Sequence, residues 1–324
     1  MYNPMLDVMS SLVVSPWIFP FGRDHRRDLQ PHTSRENFVN GRYEGATRTL
    51  RYKLYVPTGY SGQPLPLIVM LHGCGQDADD FARGTGMNEL AEKFDCLVVY
   101  PEQSAGANGA RCWNWFDEAN HQRDQGEPAL IAGVTQKVLA EYAVDGSKVF
   151  VAGLSSGGAM AVILGRTYPE LFTAVGCHSG LAHGSATDRL GAMRAMRNGA
   201  DPGRLARAAT AASGPIIVFH GDADPTVHLK NSEGVVQQSI DSYAAGMRGT
   251  HETAAIALSK ESGEATGREF TRNIHRGAAG QIVAEQWTVH GTGHAWSGGS
   301  GRGSYTDKQG PDASEQMMRF FMLQ

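Results

Sequence analysis

The sequence has no run of five or more basic residues, no apolar run approaching the roughly 20 residues of a membrane-spanning helix, and no CxxC pair. The first absence, with a net charge of −4, leaves no electrostatic footprint for nucleic acid or an anionic membrane. The second means that no transmembrane segment is expected. The third argues against zinc, because Cys74, Cys96, Cys112 and Cys177 are too widely spaced for a zinc-ligand motif. The N-terminus also lacks the early basic residues and small-residue cleavage site of a secretory signal, so a cytoplasmic location is expected. Charged residues make up 19% and apolar ones 41%, the balance of a globular chain, and 324 residues suffice for a sizeable core. Glycine, in contrast, is plentiful: 40 residues, clustered at strand ends and near the C-terminus, where tight turns near a site need them.

Residues 1–44 read as an irregular N-terminal extension and 45–324 as one catalytic domain. The apolar stretch from Leu12 to Phe21 is broken by Pro16 and Pro20 and should not form a stable helix. It reads as a segment packing on the domain or on a partner chain, which is compatible with a homo-oligomer, or as a contact with an apolar polymer or lipid surface. From Arg48 onward, short β runs alternate with helical ones. Arg48–Val56 alternates like a half-exposed strand, whereas Leu67–Leu71, Leu97–Tyr100, Lys148–Ala152, Phe172–Cys177 and Ile216–Phe219 are continuous apolar runs. Met87–Phe94 reads as the end of a helix, and helices are expected over Pro128–Tyr142, Ser156–Thr167, Asn231–Met247 and Ala313–Leu323. The pattern predicts an α/β fold with a mainly parallel central sheet flanked by helices. Residues 183–212, rich in Ala, Arg and Gly, read either as a lid insertion over a site or as plain covering helices.

The strongest chemical signal is Gly153-Leu154-Ser155-Ser156-Gly157, a G-x-S-x-G placed between a strand and a helix. That context lets Ser155 sit at a sharp turn with its hydroxyl exposed at a helix N-terminus, as a nucleophile needs. A serine hydroxyl requires a histidine base held by an acid, in the chain order Ser, acid, His. Asp222 and Asp224 follow the strand Ile216–Phe219 and compete for the acid. The base is expected at His294, in the glycine loop His290-Gly-Thr-Gly-His294. His290 ends an apolar run and reads as structural. His178, His183 and His220 precede the acid, and His228 follows it too closely. His251 and His275 lie in polar stretches. The oxyanion donors expected are the backbone N–H groups of Ser156 and of Cys74, the latter in Leu71-His-Gly-Cys-Gly-Gln76. Trp113, Trp115 and Trp296 are candidate walls for the acyl or alcohol group, with a plain core role the alternative for the Trp113–Phe116 cluster. A metal-dependent reading of His290/His294 with Asp222/Asp224 is opposed by the intervening Gly-Thr-Gly, which does not suit a helix, and no third ligand is evident. No metal or cofactor is expected. Cys96 and Cys177 read as core thiols. Cys74 and Cys112 lie in loops that can converge, so a bridge, which needs an oxidising compartment, and free thiols both fit.

LHGCGQ, YPEQ, CWNWF, GLSSGG, HGDAD, GHAWSGG and SYTDKQGPDAS together resemble the polyhydroxybutyrate (PHB) depolymerase family of esterases over about residues 45–324. The resemblance implies an α/β-hydrolase fold and hydrolysis of 3-hydroxyalkanoate or other esters, with an ester as the expected partner. It implies a triad on Ser155, Asp224 and His294, since related sequences place the acid third after the glycine, here Gly221. Related catalytic domains include feruloyl and acetylxylan esterases. The sequence departs from secreted polymer-degrading members in showing no evident signal, Ser/Thr-rich linker or appended polymer-binding domain.

Overall fold

A computed structural model describes residues 37–208, 213–247 and 255–324. The first half of the chain runs β1 (Phe38–Glu44), β2 (Thr49–Tyr55), β3 (Leu65–Leu71), α1 (Ala78–Thr85), α2 (Met87–Phe94), β4 (Leu97–Glu102), α3 (Gly126–Glu141), β5 (Val144–Leu154) and α4 (Ser156–Thr167). It continues through β6 (Ala174–His178), α5 (Arg189–Asn198), α6 (Pro202–Ala208), β7 (Ile216–Gly221), α7 (Lys230–Gly246), β8 (Ala257–Ala265), β9 (Arg268–Arg276), β10 (Ile282–Val289) and α8 (Ala313–Phe321). A two-residue parallel ladder, Trp296–Ser297 with Thr306–Asp307, lies between β10 and α8.

The strands form a sheet in the order β1-β2-β4-β3-β5-β6-β7-β10-β9-β8. Pairing is parallel from β4 through β10 and antiparallel at both ends. The central strands are the continuous apolar runs, because helices cover both of their faces. Alternate side chains divide the core in two. Leu67, Val69, Val149 and Val151 pack with α3, α4 and α7 on one face. Ile68, Met70, Phe150 and Ala152 pack with α1, α2 and α8 on the other. No helix among the described residues is long and apolar enough to cross a membrane.

The expected α/β-hydrolase architecture is present, with differences at the sheet ends. Residues 38–44 are not irregular: they form β1, paired along its whole length with β2. The strand is largely exposed and contains Asn40-Gly41, so its hydrophobic pattern is faint. The β8–β9 hairpin was not expected either. Every residue of β8 but its last is exposed, which removes the apolar periodicity that marks a strand. Its local signal is Thr266-Gly267, both at positive φ, the geometry of a two-residue hairpin turn. The expected lid region contains α5 and α6; its residues 209–212, His251 and the apolar Leu12–Phe21 stretch lie outside the described residues.

The aromatic contact between Phe150 and Phe321, stacked with centroids 4.8 Å apart, fixes α8 against the sheet. Both rings are essentially buried. Phe321→Ala should therefore cost about 3–5 kcal/mol of unfolding free energy, read as a lower denaturant midpoint at unchanged slope.

Candidate active site

The turn between β5 and α4 holds Ser155 at φ 56°, ψ −117°, a conformation rarely adopted by residues with a side chain. Glycines make the turn feasible. A Cβ on Gly157 would stand 2.1 Å from the Leu71 carbonyl oxygen, and one on Gly153 would stand 2.4 Å from the Gly157 carbonyl carbon. Backbone, not a movable side chain, is the obstacle in both cases. Ser155 N–H donates to the His178 carbonyl at 2.8 Å, tying the turn to the end of β6.

Asp224 and His294 arrive on the loops after β7 and β10, which are adjacent parallel strands. His294 Nδ1 and Asp224 Oδ2 are 2.7 Å apart. The carboxylate can only accept, so Nδ1 carries the hydrogen and Nε2 is left free to take a proton. The Asp224 side chain is wholly buried. Burial by itself would raise its carboxyl, but bonds from His220, His294 and the Val227 N–H together outweigh this and hold it well below the usual carboxylate range. Its other oxygen accepts from Thr226 N (2.8 Å) and Val227 N (2.9 Å). The competing acid, Asp222, forms a separate, more exposed pair with His290 at 2.7 Å and also accepts from Gly291 N. Thus the four residues divide into two Asp–His pairs. Among the described residues no set of three or more His, Cys, Asp or Glu side chains converges as metal ligands.

Ser155 and His294 line one cavity of about 170 Å³. The two side chains do not hydrogen-bond to each other here; such bonds commonly tighten only when substrate fills the site. A second cavity of about 290 Å³ also opens on Ser155.

The loop after β3 supplies the other wall. His72 Nδ1 lies 2.8 Å from the Gly73 carbonyl, and its Nε2 accepts from Gln103 N at 3.0 Å. Gln76 Oε1 accepts from Gly73 N at 2.9 Å, so Gly73 N–H is occupied. Cys74, next along, lines both cavities beside Ser155. Ser156 N–H opens α4, where the first N–H groups have no intrahelical acceptor. Cys74 and Cys112 are joined by a disulfide, S–S 2.06 Å, which resolves the alternatives left by their spacing and links the β3 loop to the Trp113–Phe116 loop. That second loop is anchored by Glu127, a buried residue on α3, which accepts from Asn114 N and Asn114 Nδ2, each at 2.7 Å.

The aromatic candidates separate. Trp113 and Trp296 are fully buried and line neither cavity. Trp296 packs edge-on against Phe81, and its Nε1–H donates to Ser314 Oγ at 3.0 Å. The expectation that these two form a substrate wall is corrected: their rings fill the core. Trp115 does line the larger cavity, joined by Phe116 and by Met193 and Met196 of α5. The methionines were missed because the surrounding Ala, Arg and Gly mask a three-residue spacing. α5 therefore forms a wall of the cleft.

Behind His294 lies His178, stacked on Trp296 with its Nε2 accepting from Ser297 N at 3.0 Å. Burial, reinforced by the neighbouring His220 and His294, pushes His178 down to about 3. The folded state thus refuses a proton that the unfolded chain binds near pH 6.5, and stability falls as pH drops from there towards 3. The loss at pH 5 should be about 2 kcal/mol from this residue. Thermal melts at pH 7 and 5 should show a decline that His178→Gln flattens.

Residues 50–256 match the family model Esterase PHB depolymerase. Poly(3-hydroxyalkanoate) depolymerase C of Paucimonas lemoignei is 31% identical over 249 residues, covering 74% of this chain and 57% of that protein. Feruloyl esterase B of Neurospora crassa is 36% identical over 135 residues, 41% of this chain and 45% of that protein. The chain thus spans about half the length of these curated relatives. Among solved structures, an acetyl xylan esterase from Aspergillus awamori superposes with a TM-score of 0.66 at 20% identity, over 88% of this chain and 100% of that one, which shows a shared fold.

Proposed function

Because the chain belongs to the Esterase PHB depolymerase family, we propose that it hydrolyses carboxylic esters through an acyl-enzyme on Ser155. The observation that carries this reading is the buried Asp224–His294 pair, 2.7 Å long, facing the same cavity as a serine at a strained strand-to-helix turn. His294 Nε2 takes the proton as Ser155 Oγ attacks the ester carbonyl, and Asp224 stabilises the imidazolium that forms. The oxyanion is met by the backbone N–H groups of Ser156 and Cys74, a contribution of about 3–4 kcal/mol per donor in comparable sites. The imidazolium then protonates the leaving alcohol, and water, activated by the same ring, releases the acid.

The proposed substrates are 3-hydroxybutyrate or other 3-hydroxyalkanoate oligomers or polymer. Support comes from the length of the match to the Paucimonas enzyme and from a cleft with apolar walls at Trp115, Phe116, Met193 and Met196. Of the alternative, a feruloyl or acetylxylan-type esterase, the feruloyl half is favoured by one specific observation, the edge-to-face pair of Trp115 and Phe116, which suits an aromatic acyl group. The disulfide beside the site is of a kind that persists in oxidising compartments, and it weighs against the cytoplasmic expectation.

Ser155→Ala should abolish nearly all hydrolysis of p-nitrophenyl butyrate while leaving the melting curve close to wild type; substantial residual turnover would remove the nucleophile. Asp224→Asn should lower kcat by about 10⁴ if it leaves the wrong imidazole tautomer in place. Comparing 3-hydroxybutyrate oligomers, amorphous polymer and methyl ferulate with one preparation separates the two substrate readings. A higher kcat/KM on methyl ferulate than on the oligomers would overturn the first.

A further inference from the structure

The two cavities at the site share Cys74, Ser155 and Met196 and differ in what else they contain. His294 lines only the smaller one. On the serine-esterase reading, on which this argument rests, the imidazole must reach the oxygen of the leaving alcohol, so the alcohol side occupies the smaller cavity. The larger cavity contains Ser156, the residue after the nucleophile, and no histidine. It therefore takes the acyl side.

That acyl chamber is walled by aromatic and aliphatic side chains and by the disulfide, and Arg189 is the one charged residue lining it. Arg189 is exposed, and no carboxylate among the described residues stands within ion-pair distance of it. The adjacent Asp188 is occupied in capping α5, where its carboxylate accepts from Gly191 N at 2.7 Å. Arg189 is also the first residue of α5, whose first turn has no acidic residue. A cation at a helix N-terminus meets the positive end of the helix dipole, so its presence there is not explained by helix stability. An acceptor oxygen on a bound acyl chain would give this guanidinium the charge-assisted partner that it lacks among the described residues.

We infer that Arg189 is a specificity-determining residue lining the acyl chamber, selecting acyl chains that carry an acceptor oxygen beyond the scissile ester. A 3-hydroxyalkanoyl chain carries such oxygens at every repeat; a plain alkanoyl chain has none. A terminal carboxylate is the strongest acceptor of this class and hence the sharpest probe. The selectivity is one of binding and adds no step to ester hydrolysis.

The test uses the full chain and two esters of equal acyl length, p-nitrophenyl hexanoate and mono-p-nitrophenyl adipate, which differ by the terminal carboxylate. The ratio of kcat/KM for adipate over hexanoate should fall about tenfold in Arg189→Ala, as expected for losing one charge-assisted contact. It should fall further in Arg189→Glu and be largely kept in Arg189→Lys. In the unmutated protein the same ratio should decrease as ionic strength rises, since the guanidinium is exposed to screening. A ratio that is the same in Arg189→Ala and Arg189→Glu as in the unmutated protein, with turnover still dependent on Ser155, overturns this inference alone. Turnover that survives Ser155→Ala, or no turnover of either ester, overturns the serine-esterase reading and this inference with it.

Discussion

A fully buried carboxylate is among the most expensive groups a fold can contain, and the site is organised around the solution to that problem at Asp224. Its two oxygens accept from Thr226 N, Val227 N and His294 Nδ1, and His220 Nε2 stands 3.4 Å from Oδ2. Each partner comes from the loop after β7 or β10 or from the end of β7. Those loops can meet because the two strands are parallel neighbours, and the pairing continues past the strand ends. Asp222 N donates to the Val289 carbonyl at 3.2 Å and Ala223 N to the Thr292 carbonyl at 3.1 Å. The outer Asp222–His290 pair closes the same seam nearer solvent. The proposed acid and the proposed base are thereby held by the same contacts.

The opposite wall follows a different logic. It consists of loops, which carry no ladder of their own, and their backbone groups are satisfied by buried side chains. Gln76 occupies Gly73 N–H, His72 bridges to Gln103, and Glu127 gathers Asn114, Gln103 and Arg48. Burial raises the Glu127 carboxyl, although bonds from Asn114 and Gln103 oppose the shift. The Cys74–Cys112 bridge crosses between the two loops at the point where the proposed oxyanion donor lies. Ser156 adds a lighter link, with Cys74 Sγ and Trp113 N each 3.4 Å from its hydroxyl. The cleft floor is therefore tied together by covalent and hydrogen-bond connectivity, whereas α5 contributes its methionines and Arg189 from a helix beyond the sheet.

Much was legible from local pattern. The apolar runs that became β3 to β7 had no other place than a sheet covered on both faces. Ser156–Thr167 was readable as a helix because its small residues permit the close approach to β3 and β5 that the elbow demands. The polar hairpin β8–β9 and the edge strand β1 were not readable, since an exposed strand is held by its neighbour's hydrogen bonds and shows no apolar period. Trp113 and Trp296 misled for a related reason: an aromatic residue beside a reactive motif looks the same in sequence whether it faces a cavity or fills the core.

Residue identity and order by themselves determined that a serine stood at a strand-to-helix turn and that two aspartates and a glycine-flanked histidine followed it. They also determined that no apolar run reaches the length a bilayer-spanning helix needs. Only the tertiary structure decided which aspartate joins His294, that Cys74 and Cys112 are bridged, and that Arg189 lines a cavity with Trp115 and Phe116. The reason is distance along the chain. Contacts such as 224 with 294, or 74 with 112, depend on the order of strands in the sheet and the path of the loops between them, and no local periodicity encodes either.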